Sequence, residues 1–143
     1  VTAKTGPVRM SWTDDGFCNG GALPSPETPF ALDVMGWRLA EVLPGWVSLP
    51  VYIKLDTEGN DLSILETLDE DCEPELRAGW RPVIEVEFYP GSAPEDRGRL
   101  WDWLDQHGYQ VLDRNAMVLA SRDEATWRNY AWDAVAMPMK ERP

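Results

Sequence analysis

Histidine occurs once and cysteine twice in this 143-residue chain, and those scarcities exclude whole classes of chemistry. Cys18 and Cys72 are too few and too far apart for a zinc cluster or a disulfide scaffold, so both are expected as free thiols and no metal site is assigned. His107 stands directly before Gly108, where a helix is expected to stop; interaction with the helix dipole suits it better than duty as a base or ligand. With a single histidine and no serine in a nucleophile-elbow setting, Ser-His and Cys-His hydrolase chemistry lacks its parts. Long apolar runs are missing too. None approaches the ~20 residues that span a bilayer, and Val1 to Thr5 form no apolar signal core, so no membrane partner is expected and a cytoplasmic location is the default. Basic residues are the minority, 13 against 25 acidic, for a net charge of −12. Such a surface repels phosphate backbones and anionic lipid, which argues against nucleic acid as a partner.

What is present reads as one soluble globular domain over residues 1–143, with 43% hydrophobic and 27% charged residues around a single core. Residues 1–50 are expected to be irregular. Gly6-Pro7, Asp14-Asp15-Gly16, Asn19-Gly20-Gly21 and three closely spaced prolines break them up, with a short alternating strand at Val8 to Trp12 and a helical turn or two at Arg38 to Leu43. An α/β core is expected over 51–138. Val51 to Asp56, Pro82 to Phe88 and Tyr109 to Asp113 read as strands. Leu62, Ile64, Leu65 and Leu68 fall at helical spacing after Asn60 or Asp61 as cap, and a second helix begins at Ser92-Ala93-Pro94-Glu95, carries Leu100, Trp101, Trp103 and Leu104, and stops at Gly108. A short strand at 116–119, a helix at 123–129 and a last strand at 131–137 complete the α/β layer pattern.

The polar residues inside these strands carry the chemistry. Tyr52, Lys54 and Asp56 share one strand face, and Glu85 and Glu87 share a face of the next strand. If the strands are parallel neighbours, Lys54 pairs with Glu85 or Glu87, since a lone lysine in an apolar strand is costly. Asp56, Glu58 and Asn60 fall at or beyond the carboxyl end of their strand, where open α/β sheets bind ligands. Asp56, Glu58 and Glu87 together could take a proton, polarise a hydroxyl or hold a divalent cation; alternatively Asp56 and Glu58 only cap the turn through backbone N–H groups.

The run Ile53-Lys54-Leu55-Asp56-Thr57-Glu58-Gly59-Asn60-Asp61 resembles the signature of the FkbM methyltransferases, a strand ending Lys-x-Asp-x-Glu-Gly with an acidic residue two positions on. Arg81-Pro82 followed by aliphatics and Glu87, the Leu104 to Gly108-Tyr109 element, Leu32-Asp33 ahead of the signature and the apolar strand ending at Pro138 are similar in order. The resemblance implies a Rossmann-like class I methyltransferase fold with a mostly parallel sheet and an antiparallel strand near the C-terminus. It also implies methyl transfer from S-adenosylmethionine to a hydroxyl of a sugar or small natural product. Asp56, Glu58 and Glu87 would then serve as catalytic residues, Asn60 and Asp61 would border the substrate pocket, and Lys54 and Glu85 would form a structural pair. The glycine-rich turn and ribose-binding acid of that class do not precede the signature, so no cofactor-binding residue is assigned and the chain is expected to be the C-terminal part of such a domain. Asn19-Gly20-Gly21 reads as a surface turn. The strand edge at 51–55 is then expected to be covered by the N-terminal segment, a second copy or a partner chain. The rival reading is a non-catalytic interaction or assembly module that retains the sheet.

Overall fold

The computed structural model describes residues 2–12, 20–21, 30–42, 52–57, 59–88, 92–118, 121–123 and 133–139. Residues 124–129 of the expected helix, Val51, and residues 119 and 131–132 of the expected strands lie outside these residues, and the described part of the strand expected at 116–119 makes only a single bridge, Leu112↔Val118. Among the described residues, seven strands and four helices run in the order β1 (Gly6–Trp12), β2 (Gly20–Gly21), β3 (Phe30–Gly36), α1 (Leu39–Val42), β4 (Tyr52–Lys54), α2 (Asp61–Asp71), α3 (Glu73–Arg77), β5 (Val83–Glu87), α4 (Pro94–Gln106), β6 (Tyr109–Asp113) and β7 (Asp133–Pro138).

The central sheet has the strand order β4-β5-β7-β6. Strands β4 and β5 are parallel neighbours, with Tyr52 opposite Val83 and Lys54 opposite Glu85, as the α/β pattern predicts. Strand β7 slots between β5 and β6 and runs antiparallel to both. Strands β4, β5 and β6 therefore share one direction and β7 opposes them. By ladders, however, the sheet is mixed, with one parallel and two antiparallel pairings, which corrects the expectation of a mostly parallel sheet. The cause is the late insertion of β7, a long-range event that separates β5 from its co-directional neighbour β6.

Strand alternation places Ile53, Leu55, Ile84, Val86, Tyr109, Val111, Ala134 and Ala136 in the core, against Ile64, Leu65 and Leu68 of α2 and Leu100, Trp103 and Leu104 of α4. Trp101, two positions from Trp103 and so turned away from it, is half-buried at the margin of this core. Three backbone carbonyls at the amino end of the sheet converge on Arg81. Its Nε–H donates to the His107 carbonyl at 2.9 Å, and its Nη1 donates to those of Leu76 and Trp80 at 2.6 and 2.8 Å. One guanidinium thus satisfies the ends of both α3 and α4. His107 follows α4, as expected from Gly108. Its ring stacks on Trp103 and its Nε2 lies 2.7 Å from Asp69 of α2, tying the two helices together.

The N-terminal third is more regular than its glycines and prolines predict. Strands β1 and β3 form a seven-pair antiparallel ladder from Gly6↔Gly36 to Trp12↔Phe30, and β2 adds to the other side of β1. Gly20-Gly21, expected as a surface turn, is that short strand. The apolar residues of β1 and β3 outweigh Gly6, Pro7 and Gly36, which fall at the ends of those two strands. This three-stranded sheet is separate from the central one. Among the described residues β4 pairs with β5 alone, and neither β1, β2 nor β3 joins its other edge.

Candidate functional site

The parallel ladder continues one residue beyond β4, because the Leu55 N–H donates to the Glu85 carbonyl at 2.8 Å. Asp56 therefore emerges at the carboxyl end of the strand, with its side chain 58% exposed. The chain then turns through Thr57, Gly59 and Asn60 into α2. Gly59 has φ +101°, a conformation that L side chains adopt at a cost, which explains the glycine of the signature. The Asn60 amide donates to the Thr57 carbonyl at 3.2 Å and closes this turn. It makes no side-chain cap to α2, which corrects its expected capping role. At α4 the cap residue is Ala93 with Pro94 following, again without a side-chain cap bond, so Ser92 does not form the expected capping box.

The predicted charge pair is present. Lys54 Nζ lies 2.8 Å from Glu85 Oε1 and 3.9 Å from Asp56 Oδ2. The Tyr52 hydroxyl donates to the second oxygen of Glu85, a partner that sequence reasoning missed, although Tyr52 and Lys54 share a strand face. The Lys54 hydrogen bond first, and then that of Tyr52, hold the Glu85 carboxyl below its ordinary value, while the same bonds raise Lys54 and Tyr52. One premise is corrected: the Lys54 side chain is half exposed, so this is a solvent-facing pair and not a buried ammonium. Helices α2 and α4 pack on the opposite face of the sheet, through the alternate residues.

Asp61 occupies the first position of α2 and is 1% exposed. Its Oδ1 accepts from the Thr57 N–H at 3.2 Å and from the Thr57 hydroxyl, and its Oδ2 accepts from the Glu87 N–H at 2.8 Å. Burial raises its carboxyl above the ordinary value, opposed by those three hydrogen bonds. Glu87 is the last residue of β5 and half-buried. Glu58 lies outside the described residues, so of the expected trio Asp56, Glu58 and Glu87 two members are placed, at the carboxyl ends of adjacent strands. Among the described residues no group of three His, Cys, Asp or Glu side chains is arranged to hold a metal ion.

Glu87 and Asp61 line a cleft of about 230 Å³, mouth included, with Gly59, Ser92, Asp96 and Arg97. The α4 residues Asp96 and Arg97 are contributions that sequence reasoning missed. They reach the cleft through the packing of α4 over the end of β5, for which local spacing carries no signal. The cleft mixes carboxylates, a guanidinium and a hydroxyl beside the strand ends, a set suited to hydrogen-bonding a polar group and to accepting a proton from it. Its enclosed part is only about 20 Å³, room for one water-sized group, and falls far short of the ~300 Å³ at which pockets begin to enclose whole ligands.

A family model described as the methyltransferase FkbM domain matches residues 33–111, more than half of the chain and including β4, the turn after it, α2, β5 and α4. No curated protein and no solved structure matches the chain significantly.

Proposed function

This chain belongs to the methyltransferase FkbM domain family, and from that premise we propose that it carries the acceptor side of an S-adenosylmethionine-dependent O-methyltransferase site. The observation that carries the reading is the parallel β4–β5 pair, which brings Asp56 and Glu87 to neighbouring strand ends, Glu87 in the wall of the cleft. S-adenosylmethionine would supply the methyl group. The acceptor is a hydroxyl of a sugar or small natural product, and it must be oriented and must lose its proton as the new bond forms. Asp56, exposed, and Glu87, in the cleft wall, are the carboxylates available to take that proton; Glu58 is assigned to the same loop from the signature. Asn60 closes the turn that bears them. The sense shared by β4, β5 and β6, with β7 reversed near the C-terminus, supports a Rossmann-like descent for the central sheet.

The cleft at Glu87 is too small for the whole cofactor, and among the described residues no glycine-rich turn leads from a strand into a helix: Gly20-Gly21 is paired in β2. We assign the remaining cradle to residues beyond those described or to a partner polypeptide, for which the edge of β4 left unpaired among the described residues offers a pairing surface. Calorimetric titration of S-adenosylmethionine into the 143-residue chain is expected to give weak or no binding, and binding is expected to return when a protein segment carrying a glycine-rich strand-turn is added. Micromolar one-to-one binding by the chain alone, abolished by Asp56→Ala, would replace this reading with a self-sufficient enzyme. Absence of binding under both conditions would sink the methyltransferase reading in favour of an assembly module.

A further inference from the structure

The most tightly held carboxylate at the candidate site is one that faces away from solvent. Asp61 is 1% exposed, yet it stands at the start of a helix, where an aspartate is ordinarily solvated and caps its own first turn. It makes no such cap; the α2 cap residue Asn60 has no side-chain cap bond either. Both Asp61 oxygens are instead spent on other segments. One takes the amide and hydroxyl of Thr57, in the turn after β4, and the other takes the amide of Glu87, at the end of β5. Thr57 follows Asp56 directly, and the third donor is the amide of Glu87 itself. A single buried side chain is therefore bonded to the backbone next to one proposed proton acceptor and at the other.

We propose that Asp61 is a positioning residue whose carboxylate clamps the turn after β4 to the end of β5 and so sets the placement of Asp56 relative to Glu87. The proposal rests on the functional reading above for what is positioned, and on hydrogen-bond geometry alone for the clamp. The choice of aspartate follows from the donors. All three are N–H or O–H groups, so the site needs a side chain that accepts at both ends. Asparagine presents an NH₂ at one end and would meet one of these donors with another. Glutamate is longer by one methylene in a site with almost no exposed surface. Burying the charge is costly, and the three donors are what offsets that cost.

The test is amide hydrogen exchange read by NMR on the full chain without cofactor. In Asp61→Asn, the Thr57 and Glu87 amides are expected to exchange about tenfold faster, the scale of losing a hydrogen bond to a charged acceptor. Amides in the β5–β7 ladder and the middle of α2 should stay near wild type. Thr57→Val, which removes the hydroxyl donor and leaves the carboxylate, should loosen the same two amides, and Thr57→Ser should restore them. Unchanged Thr57 and Glu87 exchange in Asp61→Asn would overturn the clamp. Equal acceleration throughout the core would also overturn it, because Asp61 would then serve only global stability. If Asp61→Asn does not fold, the threonine pair decides: loosening in Thr57→Val with recovery in Thr57→Ser sustains the clamp, and equal protection in both overturns it. None of these readings requires methyl transfer, so failure of the clamp and failure of the functional reading remain distinguishable.

Discussion

At the residue scale, the candidate site shows how two neighbouring carboxylates, one on a strand and one at a helix start, can be given opposite characters. Glu85 sits on the open face with two donors, Lys54 and Tyr52, and its carboxyl is pulled down. Asp61 is buried with backbone and hydroxyl donors, and its carboxyl is pushed up. The consequences for stability have opposite signs. A lowered folded value means that Glu85 contributes stability above its unfolded value, lost as pH falls through the folded one. A raised folded value means that the Asp61 contribution is fully present below its unfolded value and fades as pH rises through the folded one. Lys54→Met removes the first cause of the Glu85 shift. In a carboxyl-detected NMR titration the Glu85 midpoint should lie below 4.5 in the wild type and move up in Lys54→Met. Tyr52→Phe, which removes the second cause, should move it up by less. Because the Lys54 side chain is half exposed, the change in overall stability near neutral pH should be small. A Glu85 midpoint unmoved by Lys54→Met would show that the pair does not persist in solution.

At the element scale, the parts read correctly from sequence were those whose signal is local. The period-two runs gave β4, β5 and β6, and the helical spacing of Ile64, Leu65 and Leu68 gave α2. The Lys54–Glu85 pairing was legible because the two residues share one face once their strands are parallel neighbours, although the pair faces solvent and so lacks the compulsion of a buried charge. What was not legible depends on distant chain segments. The antiparallel placement of β7, the β1–β3 ladder and the arrival of Asp96 and Arg97 in the cleft are settled by tertiary packing. The inward turn of Asp61 was hidden for the same reason, since its partner amide belongs to Glu87, in a strand that follows α3. Arg81 marks a case where a residue of the family pattern has a structural purpose that the sequence leaves unstated. Its three carbonyl partners close α3 and α4 at one point, and an arginine can do this because its donors form a fixed fork. Replacing it by methionine should cost about 2 kcal/mol, the scale for losing charge-assisted hydrogen bonds at half-buried helix ends. Lysine, a point charge without the fork, should recover only part. Urea unfolding monitored by tryptophan fluorescence would measure both, and a wild-type midpoint in Arg81→Met would remove the capping account.

At the scale of the whole molecule, two sheets that share no strand must be held together by the segments between them. The chain enters β1 and leaves β3 side by side: the Thr2 N–H donates to the Trp37 carbonyl at 2.9 Å, and the Arg38 N–H donates to the Thr5 hydroxyl at 3.1 Å. From that junction the Arg38 guanidinium reaches the end of α2. Its Nε and Nη2 meet the two oxygens of Asp71 at 3.1 and 2.7 Å, and Nη2 also meets Glu70 at 2.9 Å. The arrangement answers a local problem in α2, whose last turn carries three acids, Asp69, Glu70 and Asp71, and no base, the wrong sign for the negative end of a helix dipole. Arg38 supplies the missing cation from the neighbouring sheet, in the side-on geometry that suits guanidinium and carboxylate. The N-terminal sheet should therefore depend on this one side chain more than the central sheet does. In Arg38→Ala, amides of β1 and β3 and of the last turn of α2 should exchange several-fold faster, while those of Ile84, Val86, Ala134 and Ala136, all fully buried, should keep wild-type rates. Arg38→Lys should fall between, and high salt should move the wild type part of the way, because the pair is only partly shielded from solvent. Uniform acceleration across both sheets would mean that they unfold as one cooperative unit. Unchanged exchange in β1 and β3 would mean that the joint rests on the Thr2–Trp37 and Arg38–Thr5 backbone contacts instead.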